Sequence, residues 1–120
     1  MPKIVSELVR EAIRKVKDPE IGLSVEKFIS RVDVDEGNKS ILVEWVPTTP
    51  FCPLVLAISA AIIYSIRRNL NLEGWSVKVQ LDRSVPTAEF WNSQLADKDA
   101  VDKIISNLET SGQIKYFITE

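Results

Sequence analysis

The chain has 120 residues and 45% hydrophobic content, which suits one globular domain spanning residues 1–120. Its 15 basic and 17 acidic residues give a formal net charge of −2, so it lacks the broad positive field on which nucleic-acid binding depends. Histidine is absent, which removes the commonest general base and the commonest zinc ligand. These features argue against a nucleic-acid partner and against most hydrolase mechanisms.

The helical periodicity begins almost at the first residue. Between Lys3 and Lys17 the apolar residues are spaced by three or four positions, which predicts an amphipathic helix that Asp18-Pro19 ends. Phe28, Val32 and Val34 then share one parity, the alternation of a half-buried strand. After a turn at residues 35–38, residues 41–46 predict the returning strand of a hairpin.

An uncharged stretch from Val46 to Ile66 has about the length of a membrane span. Three prolines (Pro47, Pro50 and Pro53) interrupt its first third and leave only Leu54 to Ile66 as continuous helix, about 20 Å long. This is too short to cross a bilayer. The sequence therefore predicts a buried core helix, ending between Asn69 and Gly74, and no membrane partner.

The rest of the chain predicts one more strand and further helices. Apolar and polar residues alternate from Trp75 to Leu81, which indicates a strand with one buried face. Beyond Pro86, Thr87 or Ser93 can cap helical turns, and an amphipathic helix follows that ends before Gly112. The tail from Ile114 to Thr119 alternates weakly, as an edge strand or a docking segment would.

These elements predict the fold class, an α/β (α+β) two-layer sandwich in the order helix, strand, strand, helix, strand. The sheet is small and mixed, with the middle helix as a crossover between parallel strands, and the C-terminal helices follow it. The single cysteine forbids an internal disulfide, and the N-terminus shows no signal-peptide pattern. We therefore expect a cytoplasmic protein.

Cys52 is the sharpest chemical feature of the sequence. It lies directly before Pro53 and the predicted apolar helix, whose positive N-terminal end would favour a thiolate. Thr48 and Thr49 place two hydroxyls near the sulfur in a loop that three prolines stiffen. The alternative is a free cysteine that packs as a small buried hydrophobe.

The turn Asp18-Pro19-Glu20 is the second candidate. Both carboxylates follow a helix end, where the helix dipole disfavours negative charge. Their position therefore suggests a role other than stabilising the helix. One interpretation is a solvated turn, since Asp commonly precedes proline in turns. The other is that Asp18 or Glu20 reaches the Cys52 loop and supplies an oxygen ligand or a hydrogen-bond acceptor.

Two further features have structural and functional interpretations. Phe90-Trp91 can anchor a partner, since Trp is enriched at interfaces, or can pack in the core. Arg67 and Arg68 at the predicted helix end are better explained as partners of the helix dipole than as an anion site.

Taken together, these segments resemble the MIP18 family of iron-sulfur assembly proteins, also called DUF59. The resemblance rests on the turn at residues 18–20, the hairpin, the Thr-Pro-x-Cys-Pro loop at residues 49–53, the apolar helix and the strand at residues 75–81. The stretch Asn92 to Lys98, with Val101 after it, is similar to the C-terminal signature of the eukaryotic cytosolic members, which target clusters to their recipients.

The resemblance implies a non-catalytic factor, not an enzyme, that works with the iron-sulfur assembly machinery and client apoproteins. It marks Cys52 as the functional thiol and surrounds it with Asp18, Glu20, Thr48 and Thr49. Because iron-sulfur clusters usually take four thiolates, we expect no stably bound cofactor. A transient iron-sulfur cluster would use Cys52 as one ligand, in a site shared with a second copy in a homodimer or with a client.

Three alternatives stay open. In a pure adaptor, Cys52 would serve recognition or loop structure and never touch iron. In a multicomponent oxygenase, the chain would be an interaction subunit, although relatives of that kind usually carry a cysteine-rich tail that is missing here. In a thiol enzyme, Cys52 would be the nucleophile and Glu20 or Asp18 the base, without the histidine that usually assists.

Overall fold

The computed structural model describes residues 2–48, 54–70 and 74–118. Its helices and strands follow the predicted order, with a two-stranded ribbon and two short 3₁₀ helices in addition. The elements are α1 (Pro2–Arg14), β1 (Lys17–Asp18), β2 (Leu23–Ser24), η1 (Val25–Phe28), β3 (Ile29–Asp35), β4 (Ser40–Trp45), α2 (Leu54–Leu70), β5 (Ser76–Leu81), α3 (Ala88–Leu95), α4 (Lys98–Thr110) and η2 (Gln113–Tyr116).

The main sheet has three strands in the order β3-β4-β5. β3 and β4 form the antiparallel hairpin that the sequence predicts, with Val32 opposite Val43. β4 and β5 run parallel, with Val43 opposite Val79, and α2 forms the crossover between them. The α+β class and the predicted mixed sheet are therefore confirmed.

One face of the sheet carries the core. Ile41, Val43 and Trp45 of β4 share one parity and are at most 1% exposed, as period-two patterning requires of an inward face. α2 packs on this face and is buried along most of its length, which explains its apolar sequence. In the part of the chain that the structure describes, no helix has the length and apolar content to cross a bilayer.

Two serines of α2 bond partners inside the core. The indole Nε1–H of Trp45 donates to Ser59 Oγ at 3.0 Å, which fixes α2 against the end of β4. Ser65 Oγ donates to the Ala12 carbonyl at 2.7 Å and ties α2 to α1. Both serines are at most 1% exposed, so these bonds replace water on groups that would otherwise be buried unpaired.

The C-terminal helices attach to the sheet through Asn92. Its side chain accepts the N–H of Leu81 at 2.7 Å and donates to the carbonyl of Leu81 at 3.2 Å, so one amide satisfies both main-chain groups. Thr87 occupies the predicted N-cap position of α3, but its side chain makes no capping hydrogen bond there. Ser93, the other predicted cap, lies inside α3, where its hydroxyl donates to the Phe90 carbonyl.

Two predicted boundaries were wrong. The first helix ends at Arg14 and not at Lys17, because the chain tightens into i→i−3 hydrogen bonds and enters β1. The tail, predicted as an edge strand or a docking segment, begins as η2 and not as a strand, since the left-handed backbone of Gly112 turns the chain there. Ile118 keeps a single antiparallel bridge to Val16.

We predict that Asn92→Ala lowers the free energy of unfolding by about 2 kcal/mol, because two partly buried main-chain groups of Leu81 lose their partner. Urea denaturation measures the change. The matched control is Asn107→Ala at an exposed position of α4, which should have little effect. Equal effects of the two substitutions would contradict the assigned role of Asn92.

A double-mutant cycle tests the buried indole. Ser59→Ala should cost about 1–3 kcal/mol, because it leaves the indole N–H of Trp45 unpaired in the core. Combined with Trp45→Phe, the two changes should be non-additive by about 1 kcal/mol. Ser65→Ala with Trp45→Phe is the additive control, since Ser65 bonds elsewhere. Additivity in both cycles would rule out the coupling.

Candidate functional site

Asp18 is a buried acidic residue at the end of β1. It is 6% exposed, so its carboxylate does not lie in a solvated turn. Its Oδ1 accepts the N–H of Glu20 at 2.9 Å, and its carbonyl accepts the N–H of Gly22 at 2.8 Å. These two bonds close the turn around Pro19, in the manner of an Asx turn. Glu20 is exposed at the tip of this turn.

The position of Asp18 is set by the ribbon that contains it. Asp18 pairs with Leu23 across β1 and β2, and Gly22 adopts the positive φ of 70° that the tight connection requires. The neighbouring Lys17 N–H donates to the carbonyl of Phe117 at 2.8 Å. The C-terminal segment is therefore bonded to the strand that leads into the turn at residues 18–20, called the acidic turn below.

The Cys52 loop leaves β4 next to η1. The Val46 N–H donates to the Phe28 carbonyl at 2.8 Å, Pro47 is buried, and Thr48 is exposed. Thr49 and Cys52 lie outside the described residues. Helix α2 begins at Leu54, two positions after Cys52 in the sequence.

The short helix η1 connects the acidic turn to the start of that loop. Its first residue, Val25, donates its N–H to the Val16 carbonyl at 2.9 Å, and its last residue, Phe28, accepts from Val46. A four-residue 3₁₀ helix rises about 6 Å from first to last residue. The segment that leads into Asp18 and the segment that leads into Thr48 are therefore held on opposite ends of one short helix.

Sequence reasoning missed η1 and its cap. Ser24 is the N-cap of η1: its Oγ accepts the N–H of Glu26 at 3.2 Å and donates to the Arg14 carbonyl at 2.8 Å. A serine at the N-cap with an acidic residue, Glu26, in the first turn is a helix-start signal that could have revealed it. Through the bond from Ser24 to Arg14, the end of α1 is also held to the β1–β2 ribbon.

Apolar side chains are exposed on the same ribbon and loop. Ile21 and Leu23 are 42% and 45% exposed, and Val46 before Thr48 is 38% exposed. Among the described residues, no group of three or more His, Cys, Asp or Glu side chains is placed to hold a metal ion. The described part of the site therefore offers one buried carboxylate, one exposed carboxylate, one exposed hydroxyl and an apolar rim.

The aromatic pair and the two arginines that the sequence singled out all contact other residues of the protein. Trp91 is buried in the core, whereas Phe90 is 60% exposed and contacts the Trp91 ring edge-on at a centroid distance of 4.8 Å. Arg67 pairs with Asp102 of α4 at 2.9 Å, and Arg68 donates to the Tyr64 hydroxyl at 3.1 Å. Each arginine thus has a protein partner.

Comparisons with known proteins give the family that the sequence resembles. Residues 6–81 match the family model described as iron-sulfur cluster assembly protein. The chain is 31% identical over 106 residues to the MIP18 family protein F45G2.10 of Caenorhabditis elegans. That match covers 81% of this chain and 64% of the relative, so the chain spans less than two thirds of the length of that protein.

A solved structure supports the fold. The crystal structure of a domain of unknown function, DUF59, from Bacillus anthracis matches with a TM-score of 0.62 at 17% identity. The match covers 86% of this chain and 93% of the bacterial domain. The chain belongs to the MIP18 (DUF59) family of iron-sulfur cluster assembly proteins.

We predict that Asp18→Ala destabilises the acidic turn by about 1–2 kcal/mol, because the N–H of Glu20 loses its acceptor. Asp18→Asn is the matched variant, since its side-chain oxygen can still accept that hydrogen bond. Amide hydrogen exchange at Glu20 should accelerate in Asp18→Ala and stay slow in Asp18→Asn. Unchanged exchange in both variants would show that Oδ1 does not hold the turn.

Proposed function

We propose that this protein is a non-catalytic factor that helps to deliver iron-sulfur clusters to apoproteins, with Cys52 as its functional thiol. The observation that carries the proposal is membership of the iron-sulfur cluster assembly family, whose model matches residues 6–81 and so includes both the acidic turn and Cys52. The cytosolic targeting branch is the proposed place within the family, on the likeness at residues 92–98.

The number of thiols limits how a cluster is handled. Iron-sulfur clusters are usually held by four cysteine thiolates, and this chain has one cysteine. The proposed cluster is therefore cargo, bound for a short time between Cys52 and ligands of a second copy or of a client. The partners proposed on this basis are the assembly machinery and recipient apoproteins, in the cytoplasm.

The geometry of the acidic turn supports a role for it beside the thiol. η1 fixes the segment before Asp18 relative to the segment before Thr48, so the turn and the Cys52 loop start from one rigid support. In this proposal the exposed Glu20 and the hydroxyls of Thr48 and Thr49 surround the sulfur. The apolar rim of Ile21 and Leu23 would exclude water when a client covers the site.

The test is an anaerobic reconstitution with ferrous iron and sulfide, using the full chain and Cys52→Ser. We expect the substitution to abolish cluster uptake, followed by absorbance and Mössbauer spectra, because serine is a poor ligand for soft iron-sulfur sites. Activation of a recipient iron-sulfur enzyme by the loaded protein should fall to the level without protein. Thermal unfolding of both proteins checks that the fold is intact.

Two results would separate the mechanism from its alternatives. Full activation of the recipient by Cys52→Ser would remove the thiol from the mechanism and leave an adaptor. Loss of uptake together with loss of binding to the recipient would call for Cys52→Ala as a second variant. If that variant binds the recipient normally without activating it, the ligand role stands; if it activates the recipient, the ligand role fails.

A further inference from the structure

The edge strand β5 directs half of its main-chain groups out of the sheet. Ser76 and Asp82 donate their N–H groups to carbonyls on the β4 side, each at 2.9 Å. Main-chain N–H and carbonyl groups point to alternate sides along a strand. The odd-numbered residues between Ser76 and Asp82 therefore point these groups away from β4. These residues are Val77, Val79 and Leu81.

Two of these three positions are closed by the protein itself. Both main-chain groups of Leu81 are bonded by the Asn92 side chain, and Val79 is 1% exposed. Val77 is half-buried, and the described part of the chain supplies no hydrogen-bond partner for its outward N–H and carbonyl. As far as the described residues go, the β5 edge is therefore open at one residue.

A cavity of about 310 Å³ lies beside this open position. It is bounded by β5, by the end of α2 and by the junction between α3 and α4. Its apolar wall is formed by Ile63, Trp75, Val77, Leu95 and Val101. The volume suits an aliphatic side chain with its own main-chain atoms, and the wall lies on the side of the sheet to which Val77 turns its side chain.

The rim of the cavity is positively charged. Arg67, Lys78 and Lys98 line it, and Asp102 pairs with Arg67 at 2.9 Å and with Lys98 at 3.0 Å. Hydrogen bonds from Arg67 and then Lys98 hold the pKa of the Asp102 carboxyl below its usual value. Asp102 thus offsets one of three cations, and Lys78 has no ion pair within the described residues.

We propose that the β5 edge at Val77 binds an extended, acidic peptide segment of a partner protein. One ligand residue exchanges two main-chain hydrogen bonds with Val77, as opposite residues do in an antiparallel pair. Its apolar side chain enters the cavity, because paired residues project to the same face. The residues on either side project to the other face, where an acidic side chain meets Lys78.

This inference goes beyond the proposed cluster delivery and does not depend on Cys52. Side-chain alternation explains why an acidic-apolar-acidic pattern fits: Val77 turns its side chain toward the apolar wall of the cavity, whereas Lys78, which lines the cavity rim, has the opposite parity on β5. The segment is short because Asn92 and the buried Val79 stop further pairing toward the end of the strand.

The test titrates the ¹⁵N-labelled full chain with the blocked peptide acetyl-Gly-Asp-Leu-Glu-Gly-amide, followed by amide chemical shifts. We expect the largest changes at Val77 and its cavity neighbours. A peptide N-methylated at leucine loses the paired donor and should bind about fivefold more weakly. N-methylation of the following glutamate, whose N–H faces away from β5, is the matched control and should change binding little.

Variants of the protein test the charge and the cavity. Lys78→Glu should weaken binding of the acidic peptide and strengthen binding of its lysine counterpart, acetyl-Gly-Lys-Leu-Lys-Gly-amide. Lys103→Glu, on an exposed part of α4, should change neither. Ala96→Phe, which fills the cavity, should abolish binding in a folded protein.

Three results would overturn the proposal. The first is equal binding of the two N-methylated peptides, which would exclude main-chain pairing. The second is a set of shift changes away from Val77. The third is a shift of the Val77 amide with protein concentration and no peptide, which would assign this edge to a second copy of the chain.

Discussion

The structure depends on the burial of one face of a three-stranded sheet under α2. Such a small sheet has little apolar area, and its best-covered inward residues, Val43, Trp45 and Leu81, are at most 1% exposed, whereas Val77 is half-buried. The bond between Trp45 and Ser59 fixes the rotation of α2 about its axis, because an indole N–H left unpaired in this core would be costly. The same helix begins two residues after Cys52, so core packing also fixes where the Cys52 loop must end.

Much of this fold follows from local patterns. Period-two alternation predicts β3, β4 and β5, and an uncharged run interrupted by prolines predicts a core helix and not a membrane span. The two-stranded ribbon and η2 were not predictable in this way. β1 and β2 have two residues each and are held by contacts with the distant Phe117 and Ile118, which no window along the sequence can reveal.

The candidate site shows the same division. The sequence suggests Asp18 from its place before proline, and the Asx-type hydrogen bond to Glu20 agrees with that local rule. Its burial is a tertiary effect that no local pattern in the sequence predicts. Cys52 and Thr49 lie outside the described residues, so their place beside the acidic turn stays a prediction from the family likeness. What the structure adds is η1, a short support between the two segments.

Asn92 also limits strand pairing between copies of the protein at the β5 edge. An edge strand with free N–H and carbonyl groups is a template on which other chains can pair and aggregate. A side-chain amide has the same donor and acceptor as a peptide group, so Asn92 imitates one residue of a neighbouring strand and ends the ladder at Leu81. The sheet can thus stay at three strands without a fourth. Loss of the Asn92 amide would expose Leu81 as a second pairing position on β5 beside Val77.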